Sequence, residues 1–332
     1  MTRFRRKFPI ERINDRVLET NRWFTDMLAT WRPAGDALVR DMTKTKELVS
    51  PEAKEEDPKR LRLTIRNGYL NFYRGGQSIS KVGFNKSGEL QALIHNKYVY
   101  PDGGDQHYVT LTSTGVRDRK KKQFEVCCGV AQLPTWIERA NKHVHSEKRF
   151  VDQVVARNPN TIDLEIGLPV SPDATERTAP RMDLAALEPT SEGWRIVFWE
   201  AKPVKSGDAR CSGQGMPKVV RQLANYENWL RCDKKREDVV LAYGEACRLL
   251  VELHALAKQF NPAIEDLGPG IRAATAPGAP PLQVAEKPRL LIDDRSKNAA
   301  FTNNGHLDKL RQAGLHVQMV RSPDQMKLEV LR

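Results

Sequence analysis

The sequence lacks long hydrophobic stretches and regularly spaced cysteines. No apolar run approaches the roughly 18 residues that a membrane-spanning helix needs, so no membrane partner is expected. A basic start without an apolar segment behind it predicts that there is no secretory signal peptide. The five cysteines are odd in number and form no C-x-x-C pair. A disulfide framework and a four-cysteine zinc site are therefore not expected. The cysteine usage instead predicts a reducing, cytoplasmic location.

The composition is that of a folded, basic protein. Hydrophobic residues make up 39% of the 332 residues and charged residues 29%, which is typical of globular chains. This length corresponds to about two domains. Lys and Arg total 54 against 42 Asp and Glu, a net charge of +12. Such a surplus favours polyanionic partners, with nucleic acid first among them.

Residues 1–130 are predicted to form an N-terminal α+β or mostly β domain. Apolar residues recur at helical spacing before residue 33, and short alternating runs between 61 and 130 indicate strands. A basic run near the end of this region is either a solvated loop or a phosphate-binding segment. Its candidate nucleic-acid-binding residues are Arg117, Arg119, Lys120, Lys121 and Lys122.

Residues 131–332 alternate strand-like and helical patterns, which predicts an α/β sheet packed by helices. A short apolar run at 238–243 indicates a strand between two helices. Residues 267–288 are rich in Pro, Gly and Ala and are predicted to be a linker-like loop.

Two strand-like runs in this second region carry a chemical pattern. Asp183 lies in one run, and Glu200 and Lys202 end the next. Residues two apart on a strand point to the same face, so Glu200 and Lys202 share one. If the runs pair as a hairpin, Asp183 and Glu200 converge on one hard cation, and carboxylate oxygens suit Mg²⁺ or Mn²⁺. The lysine would then stabilise phosphate charge or act on the attacking water.

This pattern resembles the PD-(D/E)XK nuclease superfamily. Asp183 matches the aspartate of the motif and Glu200-Ala201-Lys202 its (D/E)-x-K part, although Met182 stands where the family usually has proline. Glu147 matches the glutamate that often lies on the preceding helix. Gln222 and Tyr226 match the QxxxY motif of the RecB-like branch. The resemblance covers about residues 140–230.

The resemblance implies a restriction-endonuclease-like core, with a central mixed sheet flanked by helices, and metal-dependent hydrolysis of phosphodiester bonds. DNA is favoured over RNA as the substrate, in phage defence or DNA repair. The implied metal ligands are Glu147, Asp183, Glu200 and the carbonyl of Ala201. Lys202 would orient the nucleophile, and Gln222 and Tyr226 would contact DNA and buttress the site.

Several alternatives remain open at this stage. Glu165 is a rival metal ligand, whereas zinc at His143 and His145 is disfavoured because no second ligand pair stands at zinc spacing. The chain could instead be a non-catalytic nucleic-acid-binding module, or one subunit of a larger nuclease. An intact Asp183, Glu200 and Lys202 argues against the non-catalytic module. Endonuclease or exonuclease action, and a homo-oligomer, are left open.

Overall fold

Two β-sheets, one on each side of residue 131, organise the chain. The computed structural model describes residues 3–35, 59–100, 107–120, 123–126, 132–169, 181–213 and 215–331. Within these residues there are ten α-helices, one seven-stranded sheet and one six-stranded sheet. The α/β class is therefore confirmed, whereas a domain boundary at residue 130 stays a prediction.

Two short helices open the chain, at the position that the apolar spacing predicts. Helix α1 spans Asp15–Thr20 and α2 spans Arg22–Thr30. The side chain of Asn14 accepts a hydrogen bond from the backbone N–H of Val17 and so caps α1. Helix α2 buries Trp23, Phe24, Met27 and Leu28, the apolar face expected from their spacing.

The first sheet is an antiparallel meander in which neighbours in sequence are neighbours in the sheet. Its strands are β1 (Arg62–Ile65), β2 (Tyr69–Arg74), β3 (Gln77–Phe84), β4 (Leu90–His95), β5 (Tyr108–Leu111), β6 (Gly115–Asp118) and β7 (Gln123–Val126), with the short helix α3 (Asn96–Val99) after β4. The turn from β2 to β3 uses Gly75 and Gly76, both with positive φ, the conformation that glycine adopts without steric cost. The predicted β-rich region is thus confirmed.

The second sheet is mixed. Its elements are α4 (Leu133–Asn141), α5 (Ser146–Arg157), β8 (Thr161–Gly167), β9 (Arg181–Thr190), β10 (Gly193–Pro203), α6 (Lys218–Leu230), α7 (Asp233–Phe260), α8 (Pro269–Ala273), β11 (Gln283–Val284), β12 (Arg289–Asp293), α9 (Ala299–Asn303), α10 (His306–Gln312) and β13 (Val317–Val320). The strand order is β13-β12-β10-β9-β8, with β11 beside β10. Strands β8, β9 and β10 run antiparallel in turn, and β12 and β13 run parallel to β10.

Helices cover both faces of this sheet. Alternating strand residues such as Leu184 and Val197 pack with Phe150 and Val154 of α5. The opposite set of strand residues packs with helices α6 and α7 in a larger core that continues into the first sheet. None of the described helices combines the length and apolar composition needed to cross a bilayer.

Two segments differ from the sequence-based expectation. The apolar run at 238–243 is not a strand but lies inside α7, a helix of 28 residues. A short apolar run suits a buried helix as well as a strand, and here the buried positions continue at helical spacing. Residues 267–288 are more ordered than a linker: they contain α8 and β11, and Ile271 is only 2% exposed.

Buried ion pairs connect the two sheets. Asp163 on β8 accepts hydrogen bonds from Arg6 (Nε to Oδ2, 2.8 Å) and from Arg66. Asp152 on α5 is held in the same way by Arg60 (2.7 Å) and Arg62 (3.0 Å). Burial alone would raise the pKa of Asp152, but the two guanidinium groups outweigh burial and lower it. The arginines precede residue 131 and the aspartates follow it, so the contact between the sheets is ionic as well as apolar.

Candidate active site

Asp183 and Glu200 lie on neighbouring strands. Asp183 is near the start of β9 and Glu200 near the end of β10. These strands pair antiparallel with Leu184 opposite Trp199, so Asp183 and Glu200 occupy the next pair of facing positions on the two strands. The backbone N–H of Ala201 donates to Oδ2 of Asp183 at 2.7 Å. The predicted hairpin is confirmed.

Lys202 lies among carboxylates. Its Nζ is 2.7 Å from Oε1 of Glu200 and 3.5 Å from Oε1 of Glu147, which is in the first turn of α5. Glu200 and Lys202 are only 2% and 7% exposed, whereas the Glu147 side chain is 37% exposed. The structure therefore brings Glu200 and Lys202 together as predicted, with Glu147 reaching them from the edge of the site.

Helix α6 holds Glu200 from its other side. Gln222 donates from Nε2 to Oε1 of Glu200 at 2.8 Å and to the carbonyl of Arg181 at 3.2 Å. The second carboxylate oxygen of Glu200, Oε2, is buried and has no hydrogen-bond partner among the described residues. An unpaired buried acceptor is costly, so this atom is suited to a ligand that the protein itself does not supply.

Tyr226, the second residue of the QxxxY match, belongs to the core. Its side chain is fully buried, and its hydroxyl donates to the carbonyl of Ile166 at 3.4 Å. The expected contact of Tyr226 with DNA is therefore corrected, because a side chain without exposed surface cannot reach a substrate. It lies four residues, or about one helical turn, after Gln222 and packs α6 against the sheet.

Burial and repulsion raise the pKa values of the two strand carboxylates. For Asp183, burial is the largest cause and the Glu200 carboxylate the next, with a smaller contribution from Glu165. For Glu200, burial outweighs the opposing effects of Lys202 and Gln222. Burial lowers the pKa of Lys202, but Glu200, Asp183 and Glu147 together raise it above its usual range. The site thus concentrates more negative charge than its one lysine neutralises.

These residues fit a divalent cation held by two carboxylates. No group of three or more His, Cys, Asp or Glu side chains with the geometry to hold a metal ion occurs in the described part of the chain. Magnesium sites, however, use one or two carboxylates and keep several waters. The unpaired Oε2 of Glu200 and the raised pKa of Asp183 both indicate that a bound cation would be stabilised here. A role for Glu147 as third ligand stays a prediction.

Two neighbours of the site were not predicted in these roles. Lys148 follows Glu147 on α5, and its Nζ lies 3.4 Å from Oε1 of Glu165 and donates to the carbonyl of Gly76. Glu165 has a positive φ of 50°, an uncommon conformation for a residue with a side chain. The sequence shows only that Lys148 is next to Glu147. Its contact with Gly76 could not be predicted, because that contact depends on how the two sheets pack.

The basic run lies on the first sheet. Arg117 is on β6, and Arg119 and Lys120 follow it, all three exposed. The backbone N–H of Lys120 donates to Asp118. Lys121 and Lys122 fall outside the described residues. The structure gives this run the exposure that phosphate binding needs, and the binding itself stays a prediction.

Comparison with known proteins found no matching family model, no matching curated protein and no matching solved structure.

The substitution Asp183→Asn is expected to stabilise the metal-free protein at neutral pH. The folded-state pKa of Asp183 is raised above its ordinary value of 3.8, so ionisation destabilises the folded state as the pH rises through that raised value. The neutral amide avoids this cost, so its advantage should be present at neutral pH and vanish below pH 3.8. Thermal unfolding in EDTA between acidic and neutral pH measures the difference. A variant less stable than the wild type at neutral pH would contradict the described electrostatics.

Proposed function

We propose that this protein is a metal-dependent nuclease, with DNA favoured as its substrate, built on a restriction-endonuclease-like core. The observation that carries the proposal is the group formed by half-buried Asp183 with buried Glu200 and Lys202, in which Oε2 of Glu200 has no partner among the described residues. The positive net charge supports a polyanionic substrate. A mixed sheet with helices on both faces is the setting that the PD-(D/E)XK resemblance implies for these residues.

Asp183 and Glu200 would hold the metal, and the Ala201 carbonyl and Glu147 complete the set that the resemblance implies. A bound Mg²⁺ or Mn²⁺ supplies Lewis-acid stabilisation of the phosphate and a more acidic water. Gln222 is a positioning residue, because its amide fixes one oxygen of Glu200 at 2.8 Å and leaves the other oxygen available.

Lys202 would supply a positive charge beside the reacting phosphate. In the metal-free protein its pKa is raised by the neighbouring carboxylates although burial opposes this, so the side chain is protonated at neutral pH. An ammonium group held beside the reacting phosphate stabilises the negative charge that grows on it during hydrolysis. This geometry favours the electrostatic role over deprotonation of water, which the sequence left open.

Digestion of defined substrates tests the proposal. Linear and closed-circular duplex DNA, circular single strands and RNA are incubated with the protein in Mg²⁺, Mn²⁺ or EDTA. We expect cleavage in either metal and none in EDTA, because the two carboxylates alone cannot activate a phosphate. Cleavage of closed circles would identify an endonuclease.

Asp183→Asn, purified in parallel, is the matched control for a contaminating nuclease. It removes one ionisable oxygen and changes little in size. Equal cleavage by the variant and the wild type would contradict the proposed site. If the wild type binds DNA yet cuts none of the substrates in either metal, the protein is a binding module instead.

A further inference from the structure

One face of the seven-stranded sheet is turned towards solvent at strands β3 to β6. Cross-strand pairing places Lys81, Leu93, Thr110 and Arg117 in one row across this face. Tyr108, paired with His95 in the next row, is 45% exposed, and Leu93 is 36% exposed. The alternate residues of the same strands, such as Val82 and Val109, are fully buried. The face therefore combines exposed aromatic and basic groups on a regular surface.

Rings and cations continue from this face across helix α3 to the segment before α5. Nζ of Lys81 lies 4.6 Å from the centre of the Tyr108 ring. The centre of the Tyr108 ring is 5.3 Å from the centre of the His95 ring, which is 6.0 Å from the centre of the Tyr98 ring. Nζ of Lys97 lies 4.9 Å from the Tyr98 ring, and the Tyr98 ring is 6.1 Å from that of His143. We name Lys81, His95, Lys97, Tyr98, Tyr108 and His143 the aromatic-basic strip. Tyr98 is only 1% exposed, so it packs beneath its neighbours and offers no surface to a ligand.

The strip leads towards the carboxylate site. Lys97 is close enough to Lys148 that the pKa of Lys97 is lowered, first by burial and then by that neighbouring charge. Lys148 contacts Glu165 at 3.4 Å and follows Glu147 in the chain. Glu147 in turn lies 3.5 Å from Lys202. The far end of the strip therefore lies on the side of the first sheet that faces α5, the helix that carries Lys148 and Glu147.

The charge of the strip complements a phosphate backbone. Within the part of the chain that the structure describes, neither Lys81 nor Lys97 forms an ion pair with a carboxylate. Lysines without carboxylate partners are stabilised by an anionic ligand, and the exposed ring of Tyr108 beside them offers a plane for a base.

We propose that the aromatic-basic strip binds a single-stranded segment of nucleic acid and directs it to the carboxylate site. A base would stack on the exposed Tyr108 ring, and phosphates would contact Lys81 and Lys97. The substrate would be single-stranded because the bases of a duplex are already stacked on one another and present no free plane to a tyrosine. The delivery of the strand rests on the proposed nuclease function, whereas the binding does not.

Nucleic-acid binding measured in EDTA tests the aromatic-basic strip independently of cleavage. A fluorescent single strand of about 16 nucleotides, the upper end of common site sizes, and the matching duplex are titrated with protein, and anisotropy is measured. The wild type should bind the single strand more tightly. Tyr108→Ala should weaken this binding about tenfold, within the range of one stacked base, and Tyr108→Phe should retain it. Lys81→Gln should reduce the slope of log affinity against log salt by about 0.7.

Matched control variants remove the same groups from another surface. Phe260→Ala deletes an exposed ring at the end of α7, and Lys235→Gln removes a lysine 5.1 Å from the ring of Trp229. Both should bind the single strand as the wild type does. Thermal unfolding checks that each variant is folded.

The results distinguish the two proposals. If Tyr108→Ala binds the single strand as the wild type does, or if the duplex binds equally well, the strip proposal is wrong whatever the protein cleaves. If the strip variants lose binding and the wild type cleaves nothing, the strip stands as a binding surface and the nuclease proposal fails. If the wild type cleaves single strands and Tyr108→Ala raises KM with kcat unchanged, delivery to the site is supported as well.

Discussion

Replacing Lys202 by alanine is expected to lower the rate of DNA cleavage by about 10²–10³, or roughly 3–4 kcal/mol, the usual effect of losing one preorganised charge. The ammonium group lies 2.7 Å from Glu200 in a site that excludes most water. There it acts more strongly than an exposed lysine would. Single-turnover cleavage at saturating DNA measures the change, because it reports the chemical step without product release.

Several controls separate catalysis from folding and binding. Lys202→Ala leaves Asp183 and Glu200 without their nearest cation, so thermal unfolding in EDTA and in Mg²⁺ is measured for each variant. DNA affinity in EDTA should change far less than the rate, because one phosphate contact is a small part of the total. Lys202→Arg retains the charge with a different shape and should recover part of the activity. Equal rates for Lys202→Ala and the wild type would contradict the active-site assignment.

The centre of the site was predictable because its geometry is local. Two apolar runs joined by a short turn predicted a hairpin, and a hairpin places residues near its open end side by side. Asp183, Glu200 and Lys202 met that expectation. The hydrogen bond from Gln222 to Glu200 was predictable only as a match to a motif, because the position of α6 against the sheet depends on packing between distant segments.

The parts that were missed depend on long-range contacts. The aromatic-basic strip joins residues from β3, β4, α3, β5 and the segment before α5, and a cross-strand pair depends on register that a sequence does not specify by itself. The helix across 238–243 was missed for a different reason. A short apolar run suits a strand and a buried helix equally, and the helical periodicity emerges only over the longer stretch from Val239 to Ala257, whose buried positions follow one helical face.

A charged residue within an apolar strand can be recognised in the sequence, but the residues that neutralise it cannot. Asp163 stands between Ile162 and Leu164, and a carboxylate at a buried position needs compensation. The structure supplies it from Arg6 and Arg66, which lie about 157 and 97 residues earlier. No local pattern could have named those partners.

Arg66 also links this buried group to the surroundings of the site. Its guanidinium donates to Asp163, to the carbonyls of Leu164 and Glu165 and to the hydroxyl of Tyr73 on β2. Glu165 is the residue that contacts Lys148 beside the carboxylate site. The ion pairs of Asp163 therefore hold the first sheet against the edge of the second sheet beside Glu165.

Asp163→Asn is expected to destabilise the protein by about 3–5 kcal/mol at neutral pH, because it leaves Arg6 and Arg66 buried without a counter-charge. Burial raises the pKa of Asp163, but the two arginines outweigh it and the net pKa is below the ordinary value of 3.8. The stabilisation is therefore present above pH 3.8 and is lost as the pH falls through the folded-state pKa. Urea unfolding midpoints at neutral pH and towards acidic pH measure both effects.

Tyr243→Phe is the matched control for the loss of stability expected from Asp163→Asn. The Tyr243 hydroxyl donates to Oδ2 of Asp163 at 3.0 Å, so its removal deletes one hydrogen bond and leaves the charges balanced, at a cost of about 1 kcal/mol. Adding Arg6→Met and Arg66→Met to Asp163→Asn should recover part of the stability, since apolar residues can replace a buried ion group. A loss at Asp163→Asn no larger than that at Tyr243→Phe would show that the ion pairs do not hold the two sheets together.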